Sequence, residues 1–166
     1  VVTGARDARV KDDGEIEVKA KSGSVEVRCP EGSDVVVGAN SGSVELRGRL
    51  GHARVTVGSG SVFVDRVEQL DARTGSGSFE VAECAGDCRL KTGSGRIKVV
   101  QSGEADLASG SGTVQAELVE DAKVKAGSGN VDIGLVGPGR PDVKALSGSA
   151  TASVPRGARP ATPLQA

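Results

Sequence analysis

Along most of the chain, apolar and polar residues alternate in short runs, and the runs return at a nearly fixed distance. Each run is tied to a Ser-Gly step whose glycine recurs at Gly23, Gly42, Gly60, Gly77, Gly95, Gly112, Gly129 and Gly148, at intervals of 17 to 19 residues. Positions two and four after that glycine are all apolar: Val25 and Val27, Val44 and Leu46, Val62 and Val64, Phe79 and Val81, Ile97 and Val99, Val114 and Ala116, Val131 and Ile133, Ala150 and Ala152. Positions five and three before it are apolar or small, from Val18 and Ala20 through to Val143 and Ala145. Side chains of a strand alternate faces, so each unit reads as strand, Gly-rich corner, strand. A further inward position near Ile16, Val35, Ala53, Leu70, Cys88, Ala105 and Ala122 predicts an additional short side.

Self-similarity at this period is the mark of stacked coils. The expected fold is all-β, a parallel, β-helix-like solenoid of about eight coils of 17–19 residues with an N-terminal β-hairpin cap. At about 4.8 Å per coil this makes a rod of roughly 35–40 Å. The hairpin is expected from Ala8–Lys11 and Glu15–Lys19 flanking Asp12-Asp13-Gly14. Three regions follow: residues 1–40 as cap and first irregular coil, 41–154 as regular repeats, and 155–166 as a flexible tail rich in Pro and Ala. The turn-rich stretch Arg28-Cys29-Pro30-Glu31-Gly32-Ser33 interrupts the pattern inside the first region.

Composition explains what fills such a coil. The 166 residues include 25 Gly and two Phe but no Trp, Tyr or Met, so Val, Leu, Ile and Ala must build the core. An interior about 10 Å across accepts ladders of those side chains and leaves little room for larger rings. With 21 basic and 22 acidic residues the formal charge is −1, which gives no overall field for nucleic acid or an anionic membrane. Nucleic acid is disfavoured further because no aromatic residues interleave with the bases. No apolar run approaches the roughly 20 residues of a membrane span, so this chain is not expected to insert into a membrane.

Catalysis and cofactor binding find little material. His52 is the single histidine, in Leu50-Gly51-His52-Ala53, with no triad pattern beside it. The Ser-Gly corners lead into strands rather than helices, unlike a phosphate-cradling loop. Their chemistry reads as structural, with glycine supplying positive φ and the serine hydroxyl satisfying a freed backbone group. Gly127-Ser128-Gly129-Asn130-Val131-Asp132 imitates a calcium-binding turn once, without the tandem repetition such sites need. Three cysteines and one histidine at these spacings match no zinc motif. The expectation is a non-enzymatic protein with no cofactor and no metal. Cys84 and Cys88 bracket Ala85-Gly86-Asp87 at a coil junction, near inward positions, where a disulfide and a pair of buried free thiols are equally compatible. Cys29, beside Pro30, has no evident partner.

Charge is sorted by face. Four residues before the corner glycine stand Lys19, Gly38, Thr56, Arg73, Lys91, Ala108, Lys125 and Lys144, a column of five bases and no acid. Three residues after it stand Glu26, Glu45, Phe63, Glu80, Lys98, Gln115, Asp132 and Thr151, with four acids and one base. Lys19, Arg73, Lys91, Lys125 and Lys144 form a candidate interaction face, and Glu26, Glu45, Glu80 and Asp132 a candidate acidic face opposite it. A merely solvated surface is the plainer account of both, since like charges one rung apart repel by only about 1 kcal/mol in water. The partners such faces would fit are a protein or a surface glycan, or a second copy of the rod in a homo-oligomer that docks basic face to acidic face. Phe63 breaks the outward column and is expected either under the N-terminal cap or as a point of contact.

The units Thr74-Gly75-Ser76-Gly77-Ser78-Phe79-Glu80-Val81, Thr92-Gly93-Ser94-Gly95-Arg96-Ile97-Lys98-Val99 and Ala126-Gly127-Ser128-Gly129-Asn130-Val131-Asp132-Ile133 carry a resemblance. They resemble the bacterial β-strand-repeat proteins described as adhesin-like, a family long catalogued as a domain of unknown function. The segment Val27 to Asp34, Val-Arg-Cys-Pro-Glu-Gly-Ser-Asp, is similar to the Pro-Glu-Gly turn that often opens their repeats. The resemblance spans roughly Val25 to Val154 and implies a structural or interaction role, with no catalytic residues to carry over. Many members are tied to a cell envelope and others look soluble. The resemblance therefore leans toward an envelope or extracellular location, with the cytoplasm as the alternative.

Overall fold

A computed structural model of the chain describes residues 2–3, 7–10, 16–28, 31–135 and 141–153. The elements among them are all strands: β1 (Val2–Thr3), β2 (Asp7–Val10), β3 (Ile16–Ala20), β4 (Val25–Arg28), β5 (Ser33–Ser41), β6 (Val44–Leu135), β7 (Asp142–Ser147) and β8 (Ala150–Ser153). Laid straight, the 92 residues of β6 would reach about 300 Å, so this strand is a continuous winding rather than one extended segment. The chain folds as the parallel β-solenoid that its periodicity predicts. Eight corner glycines bound seven intervals, giving about seven turns, and β7 and β8 supply an incomplete eighth rung.

Two parallel ladders carry rung onto rung. In the first, β3 pairs with β5 (Val18↔Val37, Ala20↔Ala39), β5 with β6 (Val37↔Val55, Ala39↔Val57) and, at the far end, β6 with β7 (Val124↔Val143, Ala126↔Ala145). In the second, β4 pairs with β6 (Val25↔Val44, Val27↔Leu46) and β6 with β8 (Val131↔Ala150, Ile133↔Ala152). Partners lie one repeat apart, so each inward side chain stacks on its counterpart in the next rung. A register irregularity between Ser33 and Val35 marks the turn-rich interruption near the first coil. There the Gly32 amide donates to the Arg49 carbonyl at 3.0 Å, tying that turn to the rung above. Cys29 and Pro30, in the same stretch, lie outside the described residues.

The corner glycines explain why rungs can lie so close. All eight have φ between 103° and 146°, a region that L side chains rarely adopt. From Gly42 onward, a Cβ at each would also fall within the backbone of the corner glycine one rung earlier. The hydroxyl role expected for the corner serines is only partly met. Ser147 Oγ donates to the Gly127 carbonyl at 3.4 Å, but at Ser76 and Ser94 it is the serine carbonyl that is used. Thr74 Oγ1 and Thr92 Oγ1 donate to those two carbonyls, at 3.3 and 3.0 Å, and so close the buried side of the corner.

The core is one continuous column inside the coil. Valines such as Val18, Val37, Val55, Val64 and Val124 are fully buried, with Leu46, Leu90, Leu107, Ile97, Ile133 and Phe79 as the bulky members. A column absent from the sequence-based expectation also faces inward: Leu50, Val67, Cys84, Ser102 and Val119. It lies eight residues after the corner glycine at Leu50 and seven at the other four, where it is out of phase with the alternation at positions two and four.

The N-terminal cap is present, and it covers both ladders. β2 runs antiparallel to β3 (Ala8↔Val18, Val10↔Ile16), which is the expected hairpin, while β1 runs antiparallel to β4 (Val2↔Val27, Thr3↔Glu26). The two short strands thus occupy edges of the first rung that would otherwise offer free amides and carbonyls to another chain. The hairpin turn Asp12-Asp13-Gly14 and the tail 155–166 lie outside the described residues. The cap strands pair with the first rung, whereas half-buried Phe63 belongs to the third, so they do not cover it.

Candidate interaction faces

The outward side chains on the strand before each corner stand in two columns. The column six residues before the glycine begins with Glu17 and Val36 and from the third rung runs Arg54, Asp71, Arg89, Asp106, Lys123, Asp142, its sign alternating from rung to rung. An in-register parallel ladder sets each side chain beside the same position of the next repeat, as Lys123 is paired with Asp142. Alternation therefore places opposite charges next to one another and lets this column neutralise itself.

The neighbouring column holds Lys19, Arg73, Lys91, Lys125 and Lys144, all exposed. Three of these have a carboxylate two residues back on the same strand: Lys19 Nζ to Glu17 at 3.0 Å, Arg73 Nε to Asp71 at 3.7 Å and Lys144 Nζ to Asp142 at 3.9 Å. Lys91 and Lys125 have no ion-pair partner among the described residues. They flank Ala108, whose short side chain leaves a notch between them on the intervening rung. The surface here is a groove of about 410 Å³ lined by both lysines, Lys144, the glycine column Gly110 and Gly127, and Leu146. Leu146 is 91% exposed, the most exposed large apolar residue of those described.

The acidic column is less acidic than its sequence suggests. Glu26 accepts from Arg28 Nε at 2.6 Å, and Glu45 accepts from Arg47 Nε at 2.6 Å, with Arg47 also 3.7 Å from Glu26. The hydrogen bond and the charge of Glu45 raise the pKa of Arg47 further above its ordinary value. Arginines two residues along the same strand thus screen the first two acids. The spacing shows them in the sequence once the outward positions are read in pairs. Glu80 and Asp132 remain exposed and without an ion pair among the described residues. The structure thus brings the basic residues onto one ladder, and it divides the acids into a screened pair and two separated members.

His52 has a partner that sequence reasoning missed. Asp34, one rung earlier, accepts from the His52 amide at 3.0 Å and lies 3.2 Å from His52 Nδ1. Eighteen residues separate the two, so only the register of the solenoid reveals the contact. The shallow surface around them is lined by Glu17, Asp34, Val35, Val36, His52, Ala53 and Arg54, none of which is a serine, threonine or cysteine nucleophile. No three His, Cys, Asp or Glu side chains are grouped to hold a metal ion among the described residues.

Cys84 and Cys88 are free cysteines, each 1% exposed. Hydrogen bonding with the Cys88 side chain lowers the Cys84 pKa below the usual thiol value, against the effect of burial. The same interaction, together with burial, raises Cys88 well above it. Cys84 also approaches the carbonyls of Glu68 and Gly86, at 3.9 and 3.8 Å.

Comparison with known proteins adds a family and no individual relative. No curated protein and no solved structure matches the chain significantly. The profile of a repeat-type domain of unknown function, Toastrack DUF4097, matches residues 8–159, nearly the whole chain and the whole of the described solenoid. By that match the chain belongs to the Toastrack DUF4097 family.

Proposed function

We propose that this chain is a non-enzymatic interaction module, adhesin-like and associated with a bacterial envelope, which binds an acidic surface polymer along its basic ladder. The observation that carries this reading is the pair of unpartnered lysines, Lys91 and Lys125, across the Ala108 notch. Two rungs set their strands about 10 Å apart, and the groove between them is floored by glycine backbone and ends at exposed Leu146. One exposed ion pair contributes only about 0.2–1 kcal/mol, so useful affinity requires several contacts along one polymer. A rigid ladder with a fixed repeat supplies such contacts without the cost of ordering a flexible chain.

Co-sedimentation of the purified chain with isolated bacterial envelopes tests this reading. Binding is expected to weaken with added salt and to drop several-fold in the double variant Lys91→Glu/Lys125→Glu. Both positions are exposed, so the thermal midpoint should be unchanged. Equal binding by the variant would remove the basic ladder from the function. A particle size that grows with protein concentration, in the absence of envelopes, would instead favour docking of one rod on another.

A further inference from the structure

We propose that two copies of this chain pair, rods antiparallel, through the outer face of the ladder that joins β4, β6 and β8, about a two-fold axis between the fourth and fifth rungs. That face carries an apolar patch which neither the cap nor the basic ladder uses. Phe63 stands three residues after its corner glycine, and Ala82 and Val100 stand five after theirs, on three consecutive rungs. All three are half-buried and point out of the coil, beside buried Val62, Val64, Val81 and Val99. The ladder is in register at both ends, so Ala82 lies next to Val100 and diagonal to Phe63.

The charges around the patch select a second copy as its occupant. Counted by the eight corner glycines, an axis along the strands at the middle of the rod lays rung four on rung five of the second copy, three on six and two on seven. Each position then faces the same position of the rung it meets. Ala82 meets Val100 of the second copy with Phe63 beside them, and Glu80 meets Lys98 of the second copy; the symmetry makes each contact twice. Glu80 and Lys98 have no ion pair within the chain among the described residues. Asp132, the other acid of this column left without an ion pair, meets Glu45 of the second copy, whose Arg47 lies over Gly134 and has room to reach both carboxylates. Asp65 faces Glu117 of the second copy, a like-charged pair with Arg66 next to it in the chain. Parallel rods would instead lay Glu80 on Ala82 and Lys98 on Val100, burying charges without partners. Eight rungs by about six residues make a face of roughly 35 by 20 Å, or about 700 Å² per copy. Two such faces approach the size of a standard interface. The pair is closed and leaves the basic ladder outside, so it stands or falls independently of envelope binding.

Sedimentation equilibrium of the full chain tests the pair. The parent is expected to reach twice 16.6 kDa and to stop there, dissociating on dilution. Val100→Glu is expected to leave single chains at concentrations where the parent is paired. Glu80→Lys and Lys98→Glu, taken singly, should each weaken pairing at least about tenfold, because each sets like charges face to face. Their combination should restore pairing, since opposite charges face one another again, and a variant that had merely lost its fold could not regain it. Lys91→Glu/Lys125→Glu should pair as the parent does, whatever its binding to envelopes. A single-chain mass at every concentration, a mass that climbs past two copies, or a double exchange that restores nothing would overturn the proposal.

Discussion

Gly95→Val is expected to leave no cooperatively folded rod, and Gly95→Ala to destabilise the chain by more than about 3 kcal/mol, a large part of the 5–15 kcal/mol typical of a domain. Two effects add at this position. Its φ of 136° is unfavourable for any residue with a Cβ, and that Cβ would overlap the backbone of Gly77. Two other glycines separate the effects. Gly23 has φ of 103° with nothing within 4 Å of a Cβ, so Gly23→Ala should lose only the conformational part, about 1–3 kcal/mol. Gly38 has an ordinary φ and open space around it, so Gly38→Ala should be neutral or gain up to about 1 kcal/mol through the unfolded chain. Urea denaturation of the three variants measures the series. Equal losses at Gly95 and Gly23 would mean that close stacking of the corners contributes nothing.

Phe79→Ala should be the most damaging truncation in the core, at about 3–5 kcal/mol. Phe79 is 1% exposed and is the largest fully buried side chain described. Its own rung contributes Ala72 from the preceding strand, where every other rung has valine or leucine, so one large ring is matched by one unusually small partner. Truncation leaves a void that neighbouring rungs cannot close, because their in-register ladders fix the spacing. Phe79→Leu should recover most of the loss, and adding Ala72→Val to Phe79→Ala should restore part of it. The expected sign of that coupling is favourable; strict additivity in a double-mutant cycle would show that the two residues do not share volume.

The solenoid was legible because its cause is local. Alternation at positions two and four, a glycine at each corner and the absence of bulky aromatics all follow from one narrow coil repeated. The inward column Leu50, Val67, Cys84, Ser102 and Val119 was not legible as a column, although Cys84 was expected near an inward position, since seven residues after the glycine most of it is out of phase with the alternation that identifies the other columns. β1 escaped notice for another reason: two residues, Val2 and Thr3, carry no pattern, and their antiparallel pairing with Val27 and Glu26 is a tertiary choice. The basic column was read from the sequence, but the pairing that separates its members was not, although the two-residue offset is present there. That Lys91 and Lys125 alone lack carboxylates depends on Asp71 and Asp142 sitting two residues before Arg73 and Lys144. The same offset places Arg28 and Arg47 on Glu26 and Glu45 and takes away half of the acidic face.

The in-register ladder makes the rung a unit of inheritance. Because every corner glycine rests on the one before it, the interval between Gly77 and Gly95 could be lost from a gene and leave Gly77 followed by Arg96. Every surviving residue would still stack on a counterpart of its own kind. Rod length and the number of charges on the ladder can thus drift between descendants by whole repeats while the fold stays constant. Selection would meet a ruler whose graduations are added or removed without redrawing the scale.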